Sequence, residues 1–437
     1  MRHTAQVSIP EFLWGVATSS YQVEGALKND WTEWERQERL NVLGERCGRA
    51  SGHRSLWRED FGLLPTIGAN AYRFSIERSA VEPELGVFSD EALLRERERV
   101  DELARLGVEP VVTLHHFTHP AWFRAQGGWE NPACVAGFRR YASAVAAALG
   151  SRARIWITLN EPIVLLLGGY IGGVMPPGLK SFRRAARALE HMLHAHVEAA
   201  DALAAQAPGS RVGIAHNMLE FAPDRVGSYL DRHLSKYGEQ LYNLALLDAI
   251  ATGDMDWRFP GKGRARFRVP GLPAANHFLG VNYYSRVHIR FRARPGAVGE
   301  FLYRDPESRG LTDMGWEIHP HGFDRVLRQA EGAGLPIIVT ENGIATRDDR
   351  QRCEFLREHS LVLARRRAAG ARIDGYFHWS LIDNFEWLEG FRPRFGLFEV
   401  DYATLARRRH PSADLFTRLG AHFTSGAGGE PSADFPG

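Results

Sequence analysis

The sequence predicts an α/β protein, a (β/α)8 barrel whose long loops after the strands form a deep pocket. Three observations carry that expectation. Short apolar runs bounded by turn residues recur eight times, segments of helical composition separate many of them, and polar or aromatic residues cluster just after the runs.

The first run, Phe12–Ala17, is followed by Gln22 and Glu24, and the second, Ala71–Ile76, carries Arg73 within it. Pro110–Leu114 leads into His115 and His116, and Ile155–Leu159 into Asn160 and Glu161. Arg211–Ala215 is the fifth run. Phe278–Val281 precedes Asn282 and Tyr284, Ile337–Thr340 precedes Glu341 and Asn342, and Ile373–Phe377 precedes Trp379, Glu386 and Trp387. Helical period appears between runs at Asp90–Leu106, Pro132–Leu149, Arg183–Ala205 and Gly322–Ala330. Strands alternating with helices imply a parallel sheet, and eight such units suggest a closed barrel. The C-terminal strand ends of a barrel converge on one mouth, so these distant residues are expected to share a pocket.

Composition fits an ordinary soluble globular protein, with one large domain as plausible as two or three. Hydrophobic residues are 44% and charged residues 24% of the chain, a globular rather than disordered balance. Lys and Arg total 54 against 52 Asp and Glu, and a net charge of +2 offers no broad attraction for nucleic acid or an anionic membrane. The expected partners are neutral small molecules. Cys47, Cys134 and Cys353 are odd in number and far apart, which argues against a disulfide framework and suits a reducing, cytoplasmic compartment. Met1–Pro10 carries no apolar signal core, and the longest apolar stretch, Ile163–Met175, is broken by glycines and too short to span a bilayer. No linker divides the chain, so residues 1–423 are expected to form one catalytic domain, followed by a disordered Gly-, Ser- and Pro-rich tail over 424–437.

Two segments, Thr158-Leu159-Asn160-Glu161-Pro162 and Val339-Thr340-Glu341-Asn342-Gly343, each put a carboxylate just past an apolar run. A single such glutamate is more often a solvated loop residue or a helix cap. A pair is what glycosidic cleavage needs: one group protonates the leaving oxygen while the other attacks the anomeric carbon, at a separation of about 5–5.5 Å in retaining enzymes.

With these residues in view, the sequence resembles family 1 of the glycoside hydrolases, the β-glucosidase family, from about Phe12 to Pro411. The segments that carry the resemblance are Phe12–Gly25, Tyr72-Arg73-Phe74-Ser75, the two glutamate motifs, Gly280-Val281-Asn282-Tyr283-Tyr284, Gly315-Trp316-Glu317 and Trp379–Tyr402. The resemblance implies a retaining β-glycosidase with Glu161 as acid/base and Glu341 as nucleophile. It implies that Arg73, Asn160, Asn282 and Tyr284 support the nucleophile and transition state, with Arg73 and Tyr284 keeping the pKa of Glu341 low. Gln22, His116, Trp379, Glu386 and Trp387 would grip the glycone, and Trp316 would stack on the aglycone at the pocket mouth.

The implied substrates are terminal non-reducing β-glucosides and short oligosaccharides, with β-galactosides and β-fucosides as further possibilities. Relatives that cleave 6-phosphoglycosides replace the residue corresponding to Glu386, so a carboxylate there implies free sugars. No cofactor or metal is implied. His115, His116 and His119 are spaced closely enough for zinc, but the resemblance assigns His116 to sugar. Two departures, Arg78-Ser79-Ala80 in place of Trp-Ser-Arg and Ile163 in place of a frequent Trp, bear on packing around the second and fourth loops and on aglycone preference. A glycosyl-transferring enzyme shares the same intermediate and stays open. An inert sugar-binding protein would be expected to lack one of the two carboxylates.

Overall fold

The computed structural model describes residues 9–37, 39, 43–294 and 297–425. Eight parallel strands close a barrel in sequence order: β1 (Leu13–Ala17), β2 (Ala71–Ser75), β3 (Glu109–Thr113), β4 (Ile155–Asn160), β5 (Arg211–Asn217), β6 (Phe278–Tyr283), β7 (Ile337–Asn342) and β8 (Ile373–Trp379). All eight coincide with the predicted runs, with boundary shifts of one or two residues. Leu13–Ala17 of β1 pairs in register with Gly375–Trp379 of β8, which seals the ring.

An outer layer of helices covers the barrel: α1 (His53–Thr66), α2 (Asp90–Arg105), α3 (Ala133–Leu149), α4 (Phe182–Gln206), α5 (Ala245–Thr252), α6 (Pro320–Glu331), α7 (Asp349–Ala368) and α8 (Ser412–Thr424). Local chemistry sets their starts. The Ser89 side chain accepts from the Ala92 amide ahead of α2, and Ser181 accepts from the Arg184 amide ahead of α4. Each bond satisfies an amide that has no partner within the helix.

Strand alternation divides the core into two shells. Trp14, Val16, Tyr72, Phe74, Val112 and Trp156 point outward and pack against the helices. Leu13, Ala17, Ala71, Val111, Ile155, Ile157 and Phe377 point inward and fill the barrel. Above this inner apolar plug the strands present polar side chains instead.

The loops after the strands carry structure that the sequence reading left as loop. Glu220–Pro223, Arg286–Arg294 and Ala297–Leu302 form a three-stranded sheet, and Asp254–Phe259 pairs with Gly263–Arg268. Residues 426–437 of the expected tail lie outside the described residues, and Thr424 closes α8. Among the described residues no helix is long and apolar enough to cross a membrane. Cys47 and Cys134 are buried, Cys353 is half-buried, and all three are free thiols.

Candidate active site

The inward residues at the C-terminal ends of β2, β4, β6 and β7 meet in one hydrogen-bonded frame. Arg73, 1% exposed, is its centre. Its guanidinium donates to Glu341 Oε1 and to Asn160 Oδ1, each at 2.6 Å, to the Thr340 carbonyl at 2.9 Å and to Thr113 Oγ1 at 3.2 Å. Tyr284 donates to Glu341 Oε2 at 2.6 Å, so both oxygens of this carboxyl have a donor.

Glu161 has neutral partners. Asn282 Nδ2 donates to its Oε1 at 2.7 Å and Asn217 Nδ2 to the same oxygen at 3.0 Å. Asn282 is itself held by Thr340 Oγ1, which donates to its Oδ1 at 2.6 Å.

These environments separate the two carboxyls. Burial, reinforced by the charge of Glu341, pushes the Glu161 carboxyl up to about 8. Burial also raises Glu341, against the pull of Arg73 and Tyr284. The expectation of a low pKa at Glu341 therefore needs correction: in the closed pocket, loss of water outweighs the cation and the phenol.

Local backbone geometry aims both glutamates. Thr158 bonds His196 on α4 and Leu159 packs in the outer shell, so two consecutive residues face outward before Asn160 turns in. A register shift between Ile157 and Asn160 accommodates this, and on β7 a shift between Val339 and Glu341 lets Thr340 and Glu341 both face the frame. Such irregularities re-aim side chains near functional sites. Glu161 itself adopts φ +47°, in the left-handed region. At Gly343 a Cβ would lie 1.9 Å from the Trp379 carbonyl, so only glycine lets the loops after β7 and β8 approach this closely.

Around the carboxyl pair lies a cavity of about 400 Å³ lined by Gln22, His116, Glu161, Tyr284, Trp316, Glu341, Trp379, Glu386 and Trp387 among others. Gln22 Nε2 donates to Glu386 Oε2 at 2.9 Å, joining the loops after β1 and β8. Burial first, then Glu341, pushes the Glu386 carboxyl up to about 8. The His116 ring lies parallel to Trp379 at 5.9 Å and to Trp387 at 6.2 Å between centroids, and burial beside Arg73 holds its pKa well below the usual histidine range. Trp316 is half-buried at the rim, 5.5 Å from Tyr284 and 6.4 Å from Tyr303.

Every site residue expected from the sequence thus lines this cavity or belongs to the frame beneath it. The reading missed Asn217 and Tyr242, which also face the cavity. The signal for Asn217 was present: extending the fifth run by two residues, with Gly213 and Ala215 inward, puts it on the same face.

Of the three histidines weighed for zinc, His115 and His119 contact each other at 2.9 Å, and His119 also meets Asp30 and Trp129. Among the described residues no group of three or more His, Cys, Asp or Glu is arranged to hold a metal. A smaller hollow of about 170 Å³ lies apart, between Trp122 and Arg140. Arg78, one of the departures noted above, lines it, pairs with Glu82 and packs on Trp122 and Tyr141.

The comparisons with known proteins agree with the barrel fold. β-Glucosidase A of Thermotoga maritima is 32% identical over 421 residues, spanning 91% of this chain and 94% of that protein. A solved β-glycosidase from Pyrococcus horikoshii is 36% identical and superposes with a TM-score of 0.85, covering 94% of this chain and 95% of its own. The Thermotoga maritima enzyme solved with glucoimidazole is 30% identical at a TM-score of 0.86, covering 95% and 98%. The sequence profile of glycosyl hydrolase family 1 matches residues 6–422, and the chain belongs to that family.

Proposed function

We propose that the protein is a retaining β-glycosidase of β-glucosidase type, releasing terminal sugars from β-glucosides and short β-linked glucose oligomers. The observation that carries this reading is the pair of buried glutamates at the ends of β4 and β7. One is held by neutral amides, the other by a cation and a phenol.

In the first step a Glu341 oxygen attacks the anomeric carbon as the bond to the aglycone oxygen breaks, and Glu161 gives its proton to that oxygen. In the second, ionised Glu161 takes a proton from water, whose oxygen displaces Glu341 from the anomeric carbon. Arg73 supports this cycle because it neutralises Glu341 and holds the Asn160 carbonyl, leaving the Asn160 amide nitrogen for the sugar 2-hydroxyl. Gln22, His116, Glu386 and the two tryptophans form the glycone wall, where hydroxyls meet polar atoms and C–H faces meet rings.

Residues 1–423 act as one catalytic unit in this reading. The free thiols favour a cytoplasmic setting. Galactose and fucose differ from glucose at positions facing the same wall, and turnover of their aryl glycosides ranks them. Transfer to an acceptor alcohol shares the intermediate, and product analysis with added acceptor measures its share.

The test is Glu341→Ala. Hydrolysis should be lost and azide should restore turnover with a glycosyl azide of inverted configuration, because the small anion attacks from the vacated side. A retained product would overturn the assignment.

A further inference from the structure

Among the described residues the Glu161 carboxyl receives two hydrogen bonds, and both fall on Oε1. Amide N–H groups seek an oxygen with free lone pairs, which marks Oε1 as the carbonyl oxygen of the protonated acid and leaves the proton on Oε2. Asn282 is fixed within the Arg73 frame. Asn217 is not part of that frame, and its orientation comes from elsewhere: the Tyr242 hydroxyl donates to Asn217 Oδ1 at 2.7 Å, leaving Nδ2 to face Glu161.

Tyr242 belongs to a π-helical turn, Gln240–Leu244, and such turns occur frequently at functional sites. The same turn clamps the chain that carries Asn217. Asn243 accepts from the Leu219 amide at 3.2 Å and donates to the Leu219 carbonyl at 2.7 Å, while His216 Nε2 meets the Asn243 carbonyl at 3.2 Å. Residues on both sides of Asn217 are therefore tied to the turn that presents the phenol.

We propose that Tyr242 is a positioning residue: acting through Asn217, it holds Glu161 so that Oε2 carries and delivers the proton to the leaving oxygen. The inference rests on the acid/base role proposed for Glu161. Without the phenol, Asn217 can turn its carbonyl toward Oε1 and draw the proton to the wrong oxygen. The defect should grow with the need for that proton.

The test is kcat/KM for a series of aryl β-glucosides with phenols from strongly to weakly acidic, measured across pH. Tyr242→Phe should lose about tenfold on the weakly acidic phenols, a fraction of a full acid/base contribution, and little on dinitrophenol, whose departure needs no proton. Asn217→Ala should show the same dependence more strongly and move the basic limb to higher pH, since it removes a donor that favours ionised Glu161. If Tyr242→Phe is poorly folded, Asn217→Ala carries both readouts.

A loss equal for all leaving groups, with an unmoved basic limb, would mean that Tyr242 and Asn217 serve packing or aglycone binding and would overturn the proposal. Glu161→Gln separates the two levels. If it shows the leaving-group dependence and the other variants do not, the relay fails and the acid/base assignment stands. If Glu161→Gln shows none, the assignment itself fails.

Discussion

Glu161 sits at φ +47° with a side chain whose pKa is raised to about 8, two costs at one residue. A left-handed conformation costs a non-glycine residue about 1–2 kcal/mol, and it persists here because the barrel dictates the path of the chain on both sides. The raised pKa has a kinetic consequence. The acid must be protonated to assist departure, so kcat/KM should fall as pH rises past about 8. Glu386 is raised to a similar value, so the limb needs assignment. For substrates with poor leaving groups it should vanish in Glu161→Gln and survive in Glu386→Gln. Glu386 also predicts that 6-phosphoglucosides are poor substrates, because a phosphate beside a buried carboxyl loses water without gaining a cation. A higher kcat/KM for the phosphorylated than for the free sugar would contradict its place on the glycone wall.

The eight strands were legible because each is a short apolar run between turn residues, and the inward set was legible wherever alternation holds. Arg73 follows Ala71 inward, and Asn282 follows Phe278 and Gly280. Alternation breaks on β4 and β7, where register shifts turn Asn160 and Glu341 inward. No pattern of apolar residues announces those shifts, and the two glutamates were found through paired chemistry and family resemblance. Tyr242 was beyond reach for a different reason: it lies on a helical turn far from any strand end, and only the fold brings it to Asn217. Trp316, on the segment between Leu311 and Glu317, faces Tyr284 and Tyr303 at the rim. Its ring is placed to stack on an aglycone sugar, a contact made about equally in ground and transition states. Trp316→Ala should lower kcat/KM for cellobiose about tenfold, or about 1.4 kcal/mol, mainly through KM, and nitrophenyl glucoside turnover less. Parallel losses on both substrates together with a lower melting temperature would make Trp316 a packing residue.

The whole molecule keeps three carboxyls, Glu161, Glu341 and Glu386, in one cavity at raised pKa, and stability should register this. An unfolded glutamate titrates near pH 4.3, so between that pH and about 8 Glu161 and Glu386 hold protons in the folded chain that they have lost in the unfolded one. Stability therefore declines as pH rises through this window. Buried His196, His216, His359 and His378, all with lowered pKa, work in the opposite direction below about pH 6.5. The melting temperature should accordingly drop from about pH 6.5 to 8 and level off above, and the double variant Glu161→Gln, Glu386→Gln should flatten that drop. An unchanged slope would assign it to other groups.

The seam between β1 and β8 bears on how the enzyme comes into being. Gln22 is made 364 residues before its partner Glu386, so the glycone wall joins segments far apart in the order of synthesis. A chain still emerging from a ribosome holds β1 with one open edge until β8 has left the exit tunnel, and it cleaves no glycoside before Glu386 has joined the wall.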